Sequence, residues 1–136
     1  MGGTFFAFSS FVMKALAQLP AAQGVAAMQR INPGFMGVFM GTLLLSLVCL
    51  VLAFLPAGSA HQAGLIATGL LCAVGTFGVT MAFNVPRNDR LAKLDAASAE
   101  AAAYGPVYVR EWTRWNTVRT VAGLAAAVVA VWACLG

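Results

Sequence analysis

Apolar runs separated by short polar stretches divide the chain into four blocks of membrane-crossing length or close to it, at about residues 2–19, 35–55, 63–84 and 116–135. The first is rich in Phe (Phe5, Phe6, Phe8, Phe11) but contains Lys14. As a helix rising 1.5 Å per residue it reaches about 27 Å, marginal for a hydrocarbon layer of roughly 30 Å. No basic residue precedes it, which argues against a secretory leader. The second block is uncharged and closes at Pro56-Ala57-Gly58-Ser59; the third is also uncharged and stops at Pro86. The fourth ends a long helix expected to begin after Gly105-Pro106, with charged and aromatic first turns (Arg110, Glu111, Trp112, Arg114, Trp115).

The connections carry their own signals. Between Pro20 and Pro33, Val25, Met28 and Asn32 recur at helical spacing before Asn32-Pro33-Gly34, a helix stop, so a short interfacial helix is expected there. Asn88 to Tyr104 is charged and Ala-rich with Asn88 as a candidate N-cap, predicting an amphipathic helix on the membrane surface. The expected fold is therefore all-α: a single domain over 1–136, an integral membrane four-helix bundle with short interfacial helices in the first and third connections.

Composition agrees. Of 136 residues 61% are apolar and 9% charged, against about 45–50% and about 25% in soluble domains, and the mean hydropathy is +0.86. A water-soluble monomer is excluded, and four crossings leave no room for a separate soluble domain. The net charge of +4 does not point to nucleic acid, because placement matters more than sum. Lys14, Arg30, Arg87, Arg90, Lys93, Arg110, Arg114 and Arg119 all border the first and third connections. The positive-inside rule puts those connections in the cytoplasm and both termini and the His61 loop on the other side, most simply of the inner (plasma) membrane. Cys49, Cys72 and Cys134 lie in apolar stretches and read as small buried hydrophobes. Gly37 with Gly41, and Gly64, Thr68, Cys72 and Gly75, predict close helix packing, within one chain or in a homo-oligomer.

The inventory of reactive groups is narrow. One His, at position 61, and four carboxylates confined to the third connection and its borders give no metal cluster within the bilayer. Phosphate loops, nucleotide fingerprints and a Ser-His-Asp set are missing. Uncharged polar groups and one arginine remain. Thr76, Thr80 and Asn84 recur every four residues and should turn inward. Trp112, Trp115, Asn116 and Arg119 cover an arc of roughly 100° of the last helix. Structural readings compete: Arg119 as a snorkelling helix-end cation, the tryptophans as an interfacial belt, Asn84 and Asn88 as a helix stop and cap. Asn116, inside a helix near lipid, is hardest to explain structurally.

Three separated motifs resemble the anthrone oxygenase family: Phe5-Phe6-Ala7-Phe8-Ser9-Ser10-Phe11-Val12-Met13 followed by Leu19-Pro20 and Ile31-Asn32; Asn84-Val85-Pro86-Arg87-Asn88; and Trp112-Thr113-Arg114-Trp115-Asn116 with Arg119. Members carry additional apolar residues before the stretch matching Gly2, implying here a short first helix or an internal start codon. The resemblance implies a four-helix membrane bundle, some of whose relatives oxidise polyketide anthrones to anthraquinones with O2, without metal or other cofactor. It implies a small hydrophobic aromatic substrate between Trp112 and Trp115, with Asn88, Asn32, Ser9 and Thr80 completing its site. Arg119, Asn116 and Asn84 would stabilise the developing oxyanion, and Asp89 and Glu111 are the candidate bases. The rival readings are a membrane ligand-binding or accessory protein without turnover and a structural subunit of a larger assembly.

Overall fold

A computed structural model describes residues 1–135, without the side chains of residues 38 and 57–59. It contains five helices: α1 (Gly2–Ala17), α2 (Ala21–Gly34), α3 (Met36–Leu52), α4 (Gln62–Ala92) and α5 (Ala99–Leu135). A 3₁₀ turn at Pro56–His61 joins α3 to α4. The described residues form no strand, so the fold is all-α. By length and composition α4 and α5 can each cross a membrane, and α2 with the later part of α3, bent by 41° where they meet, would make a third span. α1 is shorter than these. The chain is thus a membrane protein, with five helices where the sequence predicts four spans and two interfacial helices.

Large apolar side chains cover much of the outside, and uncharged polar ones are drawn in beside the buried hydrophobics, unlike the pattern of a soluble protein. Leu44, Leu45, Phe54, Val128, Trp132 and Leu135 are exposed, whereas Ser46, Thr76, Thr80, Asn84, Asn116, Arg119 and Thr120 are buried. With lipid as solvent, exposed leucines cost nothing while every polar group must find a protein partner.

Lipid tails are as apolar as leucine, so the helices are held by close packing more than by apolar burial. Small residues allow it. A side chain at Gly64 would overlap Ala133, and one at Gly75 would overlap Ala122, so α4 meets α5 nearly backbone to backbone at two levels. Gly69, on the opposite side of α4, lies against Leu50 and Ser46 of α3, and Gly2 of α1 touches Gly123 of α5. The expected pair Gly37 and Gly41 does not pack within the chain: among the described residues, no atom beyond their own helix turn lies within 4 Å of where their side chains would begin. α3 turns that face outward because Gly69, unmarked by any motif, sets its contact with α4 instead. The cysteines are free, and none is fully buried, Cys134 being exposed.

The third connection also departs from expectation. No separate surface helix forms; α4 runs through Pro86 to Ala92 and α5 already begins at Ala99. Pro86 is tolerated because a π-helical stretch, Thr80–Asn84, precedes it and places it in the first turn of the returning α-register, where a missing N–H costs little. Asn88 is consequently inside a helix, not a cap. Ser98 caps α5 instead, its Oγ accepting from Ala101 N at 3.1 Å, and Pro106 is carried within that helix. The expected helix in the first connection does form, as α2, and ends at Gly34 as its Asn-Pro-Gly stop predicts. Gln29 of α2 donates to the carbonyls of Leu91 and Leu94, both at 2.9 Å, satisfying the C-terminal end of α4.

The glycine contacts make unequal demands. Gly75→Val should destabilise the protein by about 1–3 kcal/mol through overpacking, while Gly41→Ala should leave it unchanged or slightly more stable. Thermal aggregation of the detergent-solubilised variants measures both.

Candidate functional site

Three π-helical stretches surround one region of the bundle: Phe8–Val12 in α1, and Ala73–Gly78 and Thr80–Asn84 in α4. Each widened turn re-aims the side chains that follow it, and such turns recur at functional sites. In α4 the threonines support the distortion by bonding back to the preceding turn, Thr76 Oγ1 to Cys72 O and Thr80 Oγ1 to Thr76 O at 2.7 Å. Thr76, Thr80 and Asn84 all become buried, as their spacing predicted.

Between these stretches lies a cavity of about 260 Å³ to which all five helices contribute. Its walls are aromatic. Phe8 meets Phe35 edge-on at 5.1 Å and Trp112 at 5.6 Å, and Phe39 stacks on Phe77 at 4.8 Å. Met36, Met40 and Met81 line the cavity while being exposed, so its mouth lies between α3 and α4 and is bordered by flexible apolar side chains.

Arg119 forms part of this lining although only 4% exposed. Its guanidinium donates to Thr80 Oγ1 at 3.0 Å and Asn116 Oδ1 at 2.7 Å, and lies over the rings of Phe5 (4.5 Å) and Trp112 (4.9 Å). Among the described residues the ion pair formed is Arg87 with Glu111 at 2.7 Å, so no carboxylate compensates Arg119. Its Nε also lacks a partner. A buried cation held only by neutral groups is costly and attracts any anionic atom that enters beside it.

Asn116 is fully buried and holds Arg119 in place. Its Nδ2 donates to Phe5 O and Ser9 Oγ, both at 2.7 Å, which ties α1 to α5 and leaves Oδ1 for the guanidinium. A second network ties together Asn32, Asn88 and Trp112 of the lining through Tyr108 behind them: Asn88 Oδ1 accepts from Tyr108 Oη at 2.8 Å and from Trp112 Nε1 at 3.0 Å, and Asn32 Nδ2 donates to Tyr108 Oη at 3.3 Å.

Of the residues singled out from sequence, Asn32, Thr80, Asn88, Trp112 and Arg119 line the cavity. Asn116 and Ser9 stand behind that lining, Ser9 also bonding Thr117 Oγ1 at 3.1 Å. Asn84 is buried outside it, donating to Trp112 O at 3.3 Å with Oδ1 unpaired. Trp115 lies elsewhere, stacked on Phe83 with ring centroids 3.5 Å apart. Glu111 is committed to Arg87, and Asp89 is exposed. Among the described residues no group of three His, Cys, Asp or Glu side chains comes together. Sequence reasoning missed Phe5, Phe39, Phe77 and Tyr108. Tyr108 had a signal, four residues before Trp112 and so on the same helix face; the phenylalanines lie within apolar runs that mark none of them out.

Asn116→Ala should cost about 1–3 kcal/mol, since it leaves Phe5 O and a guanidinium nitrogen without their partner. Faster hydrogen exchange in α1 than in the rest of the bundle is the expected accompanying change.

The sequence pattern of the anthrone oxygenase family matches residues 35–129. The matched segment runs from the start of α3 through most of α5, and so includes Thr80, Asn84, Asn88, Trp112, Asn116 and Arg119 but not Ser9 or Asn32. No curated protein and no solved structure matches the chain.

Proposed function

This chain belongs to the anthrone oxygenase family, and from that membership we propose that it is a membrane-embedded oxygenase that oxidises an anthrone-like aromatic polycycle with O2. The observation that carries this reading is the uncompensated Arg119 guanidinium at the wall of an aromatic-lined cavity. An anthrone has an acidic C–H between two rings, and its conjugate base places negative charge on the carbonyl oxygen across the central ring. A fixed cation without a carboxylate favours that anion, and preorganised donors of this kind are worth several kcal/mol in a site poor in water.

The chemistry balances without further reagents. The anthrone gives a proton to solvent; the electron-rich anion passes one electron to O2, the two radicals recombine as a peroxide at the ring carbon, and the peroxide takes a proton back. Loss of water then leaves the quinone, so one oxygen atom of O2 enters the product and the other leaves as water. In this scheme Arg119 pairs with the anion, Asn116 positions Arg119, and Phe8, Phe35 and Trp112 hold the polycycle. Asn84 supports the backbone at Trp112, and Trp115 shapes α4 against α5 through Phe83. The segments 2–19, 35–55, 63–84 and 116–135 serve as four crossings in this reading, with the first and third connections in the cytoplasm; the basic residues bordering those connections support it.

The test is O2 uptake by purified protein given an anthrone, with quinone formation followed by absorbance. Wild type should turn over, Arg119→Ala should lower the rate by about 10²–10³-fold, and Asn116→Ala should lower it while the protein remains folded. Uptake unchanged in both variants removes these residues from the mechanism.

A further inference from the structure

The polarity of the network on the cavity wall is fixed by chemistry. An indole N–H can only donate, so the Asn88 atom facing Trp112 Nε1 must be the amide oxygen. Tyr108 Oη meets that same oxygen at 2.8 Å and therefore spends its one hydrogen there. With its proton committed, Tyr108 Oη can only accept from Asn32, so the Asn32 atom at 3.3 Å is the amide nitrogen. Trp112 thus sets the orientation of two amides, one of them eighty residues away in sequence. The groups left over are Asn32 Oδ1, an acceptor, and Asn88 Nδ2, a donor; among the described residues neither meets a hydrogen-bond partner, and both residues line the cavity.

We infer that Asn32 is a specificity residue whose side-chain oxygen, oriented through Tyr108 and Asn88 by the Trp112 indole, selects aromatic ligands bearing a ring hydroxyl. A phenolic O–H satisfies an acceptor that a ring without a hydroxyl, or with a methylated one, leaves unpaired, and the unpaired acceptor is the larger penalty. Asn88 Nδ2 beside it takes a second oxygen of the ligand as acceptor. This rests on the proposed reading of the cavity as an aromatic-ligand site, but not on turnover.

Binding of 2-naphthol and of 2-methoxynaphthalene is compared by equilibrium dialysis against protein-containing vesicles, with protein-free vesicles subtracted. Wild type should prefer the naphthol by roughly tenfold, the worth of one good hydrogen bond. Asn32→Leu should abolish the preference. Trp112→Phe is the discriminating variant: it keeps an aromatic wall but releases the amide orientations, so the preference should fall although Asn32 is untouched. Equal wild-type affinities overturn the inference without reference to any variant. A preference that survives Asn32→Leu, or that Trp112→Phe leaves intact, also overturns it. Binding of neither compound overturns both the inference and the aromatic-site reading, whereas selective binding with no O2 uptake supports the inference and counts against the oxygenase alone.

Discussion

A guanidinium inside an apolar bundle, with no carboxylate beside it, must be held by neutral dipoles and ring faces, and that requirement organises this end of the molecule. Thr80 of α4, Asn116 of α5 and the Phe5 ring of α1 each supply part of the shell around Arg119. Asn116 can serve only because its own amide nitrogen is occupied by Phe5 O and Ser9 Oγ. Three helices therefore meet where a single charge demands it. In water the same arrangement would contribute little, but in lipid the alternative is an unsatisfied charge, and the penalty for releasing any one member is correspondingly large.

The glycines do the complementary work. Gly64 and Gly75 draw α4 onto α5, and Gly69 lets α3 approach α4 from the other side, so polar side chains only a few ångströms long can bridge between helices. Further apart, Thr80 could not reach Arg119, nor Asn84 the Trp112 carbonyl. Close backbone approach and buried polar contacts are two parts of one solution. The cavity survives between them where bulky aromatics, Phe8, Phe39, Phe77 and Trp112, hold the helices open.

Much of this was legible in the sequence, for definite reasons. The four-residue recurrence of Thr76, Thr80 and Asn84 and the arc of Trp112, Asn116 and Arg119 marked the inward faces, because polar residues in lipid have nowhere else to turn. Trp115 belonged to the same arc by spacing yet stacks on Phe83, since an arc of about 100° is wide enough for its edge to leave the cavity. Pro86 and Pro106 read as boundaries, and helices run through both. The π stretch that accommodates Pro86 depends on threonine hydroxyls bonding backward, which periodicity does not register. Gly37 and Gly41 had the spacing of a packing motif but no facing partner within the chain, whereas Gly69 had a partner and no motif. Spacing identifies a face that can pack; the neighbouring helix decides whether it does.

The π-helical stretches in α1 and α4 have a consequence for how the chain tolerates insertions and deletions. Each holds one residue more per turn than an α-helix, so removing a residue from Ala73–Gly78 would return that turn to ordinary winding and leave α4 apolar and long. The groups beyond it would keep their facing, because the widened turn already absorbs the extra residue, whereas an excision from the α-helical turns of Gln62–Cys72 would rotate them by about 100°, swinging Thr80, Asn84 and Asn88 away from α5. Membrane insertion and the inward-facing chemistry thus respond to length on different scales: the first needs only enough apolar turns, the second an unbroken count of residues. Lineages that lost a single codon from the α-helical turns before Ala73 would retain a bundle while losing the alignment of its polar groups, whereas a loss within Ala73–Gly78 would spare it.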